Sequence, residues 1–491
     1  MDAIRTVDLT KRYGDIVAVD KENLVVEEGA VFALLGVNGA GKTTTISMLT
    51  GLTRPTNGDA YLLGRSILTD GAWIRERINV APQRTAVAEN LTVRENLELI
   101  AGIYGRPRRR AAASTERVIG EFGLADVAQR RAKTLSGGMR RRLSIAMALI
   151  TDPRILFLDE PTVGLDVFAR RELWDVITSL KGKVTMLLTT HYLEEVEHLA
   201  DVVAVMVSGR VGRQRHRRRS RTPVGYGHVG GRVRQACRRC TMNARRIWIF
   251  SVRTMKEVLR DPVNLFFGAA FPVLLLWALS VIYRQVGAVP GVDAVSVTGL
   301  TAAVAAYAPV FLSLFAGMLL ARDRTSSFLS RLFVSPMTAA DFILGYASPM
   351  LAVSLAQSLI TFLCAGLFGY RLSARLLLGV IVVVPTALMY TAIGLLCGCL
   401  MSDRAVGGIC GAMLTTVSFI LSGVTVPVAI MGDVFRHVAQ ALPFYNATQA
   451  TVAAVGGDVG RVWPHLWVVC VYAVVCTVAA VVVFALRKRA R

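Results

Sequence analysis

VFALLGVNGAGKTTTISMLTG, residues 31–51, decides how the first half of this chain folds. The apolar run Val31–Leu35 has the composition of a strand buried on both faces, and a helical pattern resumes after residue 42. Between them lies Gly36-x-x-x-x-Gly41-Lys42-Thr43, a loop of the kind that cradles phosphate. Gly36, Gly39 and Gly41 let the backbone turn tightly and aim N–H groups outward, and the helix start adds its positive dipole. Asn38, Gly39, Ala40, Gly41 and Thr44 complete a cradle in which Lys42 reaches the outer phosphates of a nucleotide and Thr43 ligates Mg²⁺. Strand, loop and helix in this order predict an α/β P-loop NTPase domain.

A second piece follows in RILFLDEP, an apolar strand ending in two carboxylates. Asp159 is placed to hold Mg²⁺ through water, and Glu160 to orient and polarise an attacking water. Between the two lies LSGGMRRRLSIAMAL, Leu135–Leu149, and here the chain resembles the ABC transporter ATPases. Tyr13 in KRYG stands where that family stacks an aromatic ring on adenine. Gln83 matches the family's Q-loop, which also approaches the metal, Asp166 its D-loop and His191 its switch histidine. The resemblance implies that ATP, with Mg²⁺, is sandwiched between one domain's Gly36–Thr43 loop and the Ser136, Gly137, Gly138 helix start of another. One cassette cannot build that site alone, so a homodimer or a pairing with a related half-transporter is implied. Met139 stands where glutamine is commonest, and with RRRL behind it the signature resembles that of daunorubicin-resistance and nodulation-factor type exporters.

Beyond residue 264 long uncharged runs take over, and 53% hydrophobic content over 491 residues is that of a membrane protein. Runs at Leu265–Tyr283, Gly299–Leu320, Phe342–Gly369, Leu376–Met401, Val406–Val426 and Leu466–Leu486 predict an all-α domain of six spans. Arg322, Arg324 and Arg331 after the second run, Arg404 after the fourth and RKRAR after the last place those loops and both termini in the cytoplasm. None of the six runs contains an Asp, Glu, Lys, Arg or His, so no proton relay or buried charge is expected within them. Ser354, Gln357, Tyr390, Thr391, Thr415, Thr416 and Ser418 are candidates for helix packing or for lining a solute path.

Arg322–Tyr346 resembles the cytosolic segment of type-2 ABC exporter permeases, whose short helix docks on the ATPase. Phe328, Leu329, Leu332 and Phe333 would form its apolar side. Met242–Pro262 resembles their elbow helix, lying in the membrane plane with Trp248 and Phe250. The domains read as 1–211, an ABC ATPase whose C-terminal part is missing or altered; 212–241, a linker; 242–262, the elbow; and 263–491, the permease. The implied function is export of an amphipathic or hydrophobic solute from the cytoplasm across a prokaryotic plasma membrane, with lipid as the surroundings. The alternatives are a membrane sensor of the same family or a product with an impaired ATPase.

The formal net charge of +22 is concentrated in one place. Residues 212–241 carry ten arginines, no lysine and no acid, a composition that cannot bury a core. With one tyrosine and no recognition module around it, the segment gives no reason to expect a nucleic-acid partner. Cys237 and Cys240 form a lone C-x-x-C, and the six later cysteines read as packing residues. Two readings of the segment stay open: a linker lying on anionic headgroups, or a reading-frame slip joining an ATPase gene to a permease gene that starts at Met242. Translating the alternative frame across these codons separates them. A slip is expected to reveal an acid-Gly-Thr return strand and a stop codon near Met242, and meaningless text there would leave the linker.

Overall fold

Buried and exposed residues trade places along β1 (Asp2–Tyr13), as in a strand with one face on a core. It pairs antiparallel with β2 (Ile16–Glu22), β3 (Val25–Glu27) and β5 (Asn57–Leu62), and β6 (Arg65–Ser66) extends the edge. In the second sheet β4 (Val31–Leu35), β8 (Ile155–Asp159) and β9 (Thr185–Thr190) are buried along almost their whole length. With β7 (Ile78–Ala81) and β10 (Val202–Val207) they form a parallel array in the order β10-β4-β9-β8-β7. A parallel array brings every strand's C-terminal end to one edge, where α/β proteins bind ligands.

This computed structural model describes residues 2–212, 215–216, 243–286, 297–368, 373–424 and 432–490. Two short strands, β11 (Arg210–Val211) and β12 (Arg215–His216), pair antiparallel with β10. Arg215 and His216 pair with the sheet although they belong to a segment whose composition cannot bury a core, because pairing to a sheet edge uses backbone groups and needs no side-chain pattern. The rest of the arginine-rich segment, with Cys237, Cys240 and the choice between linker and frame slip, lies outside the described residues.

Two compact units emerge, one of residues 1–246, 326–338 and 488–491, the other of 247–325 and 339–487. The first unit therefore takes in a piece of chain that lies between two membrane helices. In that piece the helix Ser327–Val334 is opened by Ser326, whose side chain accepts from the Phe328 N–H. Phe328, Leu329 and Leu332 are fully buried, and Val334 joins the core that contains Ile78, Val80 and Phe157. The apolar side read from the sequence is thus seated in the sheet unit; we call this the docking helix.

Among the described residues the second unit holds six helices long and apolar enough to cross a membrane: Pro262–Tyr283, Thr298–Thr325, Ala339–Phe368, Arg375–Leu400, Asp403–Leu421 and Val459–Lys488. They overlap the six runs but differ at several ends: the sixth starts at Val459 and takes in Arg461 and His465, the fifth covers Asp403–Leu421, and the second continues for a further turn through Arg322–Thr325. There Asp323 is buried, against expectation, because Arg253 grips both its oxygens at 2.6 and 2.8 Å and the Tyr346 hydroxyl donates to it at 2.6 Å. A count of uncharged residues ends a span where a paired charge does not end the helix. Of the loop arginines, Arg324 donates to the carbonyls of Cys399 and Met401 at the end of the fourth span. In the elbow helix, Ala244–Leu259, Trp248 is exposed but Phe250 is buried edge-on against Phe342 and Tyr346, so it packs on protein rather than lipid.

The second and fourth spans cross most closely. A Cβ at Gly394 would lie 2.0 Å from the Ser313 carbonyl oxygen, and one at Gly398 2.5 Å from that of Gly317. Small residues on both helices let their backbones touch, the main source of attraction between helices in lipid. Gly394→Ala is expected to cost on the order of 1–3 kcal/mol by overpacking, read as a lower thermal midpoint of the purified protein. Gly408→Ala, where an added Cβ meets nothing within 4 Å, should leave that midpoint unchanged.

Candidate nucleotide site

The loop after β4 is held from beneath. The Gly36 N–H donates to the Thr190 carbonyl at 3.1 Å. Gly41 has φ +109°, and a Cβ there would stand 2.4 Å from the Ala18 carbonyl oxygen, so glycine alone fits. The helix Lys42–Leu49 starts at this point, with Thr43 exposed and Thr44 half-buried. Its first N–H groups have no partner within the helix and, with the dipole, favour an anion. Lys42 is buried, its ammonium donating to the carbonyls of Gly36 at 2.6 Å and Val37 at 3.1 Å.

At the end of β8, the Asp159 carboxylate accepts from Thr189 Oγ1 at 2.6 Å and from Thr43 Oγ1 at 3.2 Å. Burial raises its pKa above the usual carboxylate value, so a cation at this position would be favoured. Glu160 has φ +46°, a left-handed conformation that costs a bulky residue about 1–3 kcal/mol. Two bonds hold its N–H, to the carbonyl and the hydroxyl of Thr189, each 3.1 Å. Around its carboxylate, Gln83 Nε2 donates at 2.9 Å, while Lys42 Nζ and His191 Nδ1 both stand 3.4 Å from Oε1. Of the four residues read as catalytic, His191, Gln83 and Lys42 therefore converge on the carboxylate of the fourth, Glu160.

The remaining residues lie apart from that cluster. Tyr13 ends β1 with its ring half-exposed, and Asn38 and Gly39 are exposed, while Ala40 is buried beneath the loop. Ser136 caps the helix Gly137–Leu149, accepting from the Met139 N–H at 3.2 Å, so methionine in place of glutamine leaves the cap intact. Asp166 caps Val167–Ser179 through the Ala169 N–H at 2.8 Å. Among the described residues Ser136, Gly137, Gly138 and Asp166 make no hydrogen bond to Lys42, Gln83, Asp159, Glu160 or His191.

Two functional residues escaped the sequence reading. Thr189 links the paired acids, donating to one and receiving the other's N–H. Arg141 is buried in the signature helix and donates to the carbonyls of Pro82, Gln83, Asp159, Glu160 and Pro161. Burial pulls its pKa down to about 10, which leaves it charged at neutral pH. No helix-face pattern singles it out among the three successive arginines, because every residue from Leu143 to Leu149 is buried.

A strand-borne phosphate loop facing a buried pair of carboxylates, with a separate capped signature helix, defines a P-loop nucleoside triphosphatase. The chain matches the ABC transporter family over residues 19–163 and the ABC-2 type transporter family over residues 245–455. It resembles the daunorubicin resistance ATP-binding protein DrrA3 of Streptomyces coeruleorubidus, 45% identical over 43% of this chain and 67% of that protein. It also resembles the phospholipid-transporting ATPase ABCA3 of Homo sapiens, 44% identical over 40% of this chain and 11% of that one. A solved ATP binding subunit of an ABC transporter is 29% identical, covering 44% of this chain and 90% of that chain with a TM-score of 0.41. The alignments thus span about two thirds of the Streptomyces protein and about a tenth of the human one. The chain belongs to the ABC transporter family, with an ABC ATPase and a multi-pass ABC-2 type membrane domain on one polypeptide, and couples ATP hydrolysis to transport.

Two further acids titrate near neutrality. Glu22 is buried beneath the loop helix with Thr45 Oγ1 donating to it at 3.0 Å, and burial raises its pKa from 4.5 to about 7. Burial raises Glu195, near Thr190 and Thr162, to about 7 as well. A raised folded-state pKa means that the stability Glu22 contributes is complete below pH ~4.5 and is lost as pH rises through about 7. That is worth roughly 3 kcal/mol. The thermal midpoint is therefore expected to fall between pH 5 and pH 8, and Glu22→Gln to flatten that fall; an unchanged slope in the variant would count against it.

Proposed function

We propose that this chain is one half of an ATP-driven exporter that moves an amphipathic or hydrophobic solute, a drug, lipid or glycan conjugate, out of the cytoplasm. Its place is a prokaryotic plasma membrane with both termini cytoplasmic. The observation that carries the reading is the convergence of Lys42, Gln83 and His191 on the Glu160 carboxylate, in a unit that also seats the docking helix between two spans. The relatives' names support the solute class, since one confers daunorubicin resistance and another transports phospholipid.

ATP enters as substrate. Lys42 exchanges its loop carbonyls for the outer phosphates, and the N–H groups of residues 38–44 bind the rest, with Tyr13 against the adenine. Thr43 and Asp159, already joined by a hydrogen bond, fit Mg²⁺, with Gln83 as a further oxygen ligand. The ion, when bound, neutralises phosphate charge. Glu160 orients and polarises the attacking water, and His191 positions the terminal phosphate beside it.

Ser136, Gly137 and Gly138 serve the nucleotide of a second cassette, as Asp166 serves the contact between cassettes, which supports a homodimer or a pairing with a related half-transporter. Exposed Val37, Val167, Phe168 and Leu193, next to these motifs, give that contact an apolar component. Closure on ATP and opening after hydrolysis drive the docking helix.

The purified chain in phospholipid vesicles should hydrolyse ATP, and Glu160→Gln should lower kcat by about 10²-fold or more while ATP still binds. A wild-type chain without ATPase activity, or a variant as active as wild type, would sink the proposal. Uptake of candidate solutes into inverted vesicles tests direction and solute class.

A further inference from the structure

The docking helix buries one side chain that its apolar seat does not call for. Arg331, read from the sequence as a cytosolic loop charge, is 1% exposed, and its Nη2 donates to the carbonyl and hydroxyl oxygens of Ser144 at 2.5 and 2.8 Å. Ser144 lies in the signature helix, three residues after Arg141. Its hydroxyl also accepts from the Ala86 N–H at 3.4 Å, in the segment that follows Gln83. Arg141 in turn donates to the carbonyls of Gln83, Asp159 and Glu160.

We propose that Arg331 is the positioning residue through which the membrane spans set the geometry of the nucleotide site, acting on Ser144 and, along the signature helix, on Arg141. The chain of contacts is short and rigid. A shift of the docking helix moves Ser144, and a helix that carries Ser144 carries Arg141 with it. Of the carbonyls that Arg141 holds, one belongs to Glu160 itself and one to Gln83, which donates to the Glu160 carboxylate.

The physical cost of the arrangement argues against simple packing. Arg331 Nε and Nη1 are buried without a hydrogen-bond partner, and burial, followed by the nearby cation Arg141, lowers the Arg331 pKa to about 9. Methionine or leucine would fill the same space with neither penalty. The neighbouring anchors differ in kind. Arg246 donates to the Pro336 carbonyl at 2.8 Å and Lys488 to that of Met337 at 2.8 Å. Both hold the end of the docking segment by its backbone carbonyls.

The inference rests on the ATPase reading above, and its test uses the full chain in vesicles of phosphatidylethanolamine and phosphatidylglycerol. Two quantities are measured: kcat and KM for ATP, and backbone hydrogen exchange over residues 82–88 and 158–163. Arg331→Met is expected to lower kcat about ten-fold with KM unchanged and to speed exchange in both segments. Ser144→Ala should shift both in the same direction, the double variant should be no worse than Arg331→Met, and Arg331→Lys should restore part of kcat. Arg246→Ala, a loss of anchoring alone, should leave exchange in those segments as in wild type.

Wild-type kcat and exchange in Arg331→Met, an equal effect from Arg246→Ala, or multiplying losses in the double variant would overturn the proposal. If Arg331→Met does not fold, Ser144→Ala decides, and unchanged exchange over residues 82–88 sinks the idea. A wild-type chain that hydrolyses no ATP would instead defeat the ATPase reading, and the exchange measurements would still judge the linkage.

Discussion

A buried guanidinium must find acceptors for its five N–H donors, and that of Arg141 finds them in backbone carbonyls from the loop after β7 and the turn after β8. Because the donors sit in a rigid plane, the carbonyls they bind are fixed relative to one another. Gln83 is thereby set opposite Glu160, and the left-handed backbone at Glu160 is held in place from two sides, by Arg141 at its carbonyl and by Thr189 at its N–H. Much of the geometry of the nucleotide site depends on this one clamp. Strain at a catalytic residue persists only where surrounding contacts over-determine it, and here they do.

A buried charge with partners on several elements also shapes the membrane unit. Asp323 is buried because Arg253 meets both its oxygens and Tyr346 adds a hydroxyl. That cluster ties the elbow helix to the second and third spans and lets the second span continue past the point where its apolar run ends. Elsewhere in the spans close contact comes from size, as at the crossing of Ser313 and Gly317 with Gly394 and Gly398. Polar clamps near the chain's charged stretches and bare backbone contact between the spans are two answers to a lack of water.

The signature helix combines two jobs. Its first residues, Ser136 to Gly138, stand apart from this chain's own catalytic carboxylate, while Arg141 on its buried face helps to build the site around that carboxylate. One helix therefore offers a capped N-terminal end away from that carboxylate and a buried flank that holds the turns around it. Its docking-helix contact at Ser144 lies on the same buried stretch.

Local patterns along the chain determined a great deal. The phosphate loop follows from glycine spacing between a strand and a helix, the paired acids from an apolar strand that ends in carboxylates, and the six spans from uncharged length, since each of these depends on neighbours in sequence. The apolar side of the docking helix was legible for the same reason, as spacing on a single helix. What only the tertiary structure decided is which charges go inside. Arg331 and Arg324 look like ordinary cytosolic loop charges, and Asp323 looks like a helix end, yet all three find their partners at distant positions. Arg141 cannot be told from Arg140 and Arg142 until the signature helix is seen against the turns after β7 and β8. The physical reason is the same in each case: the groups that receive these charges lie far away in the sequence, and which of them come together is a property of the fold.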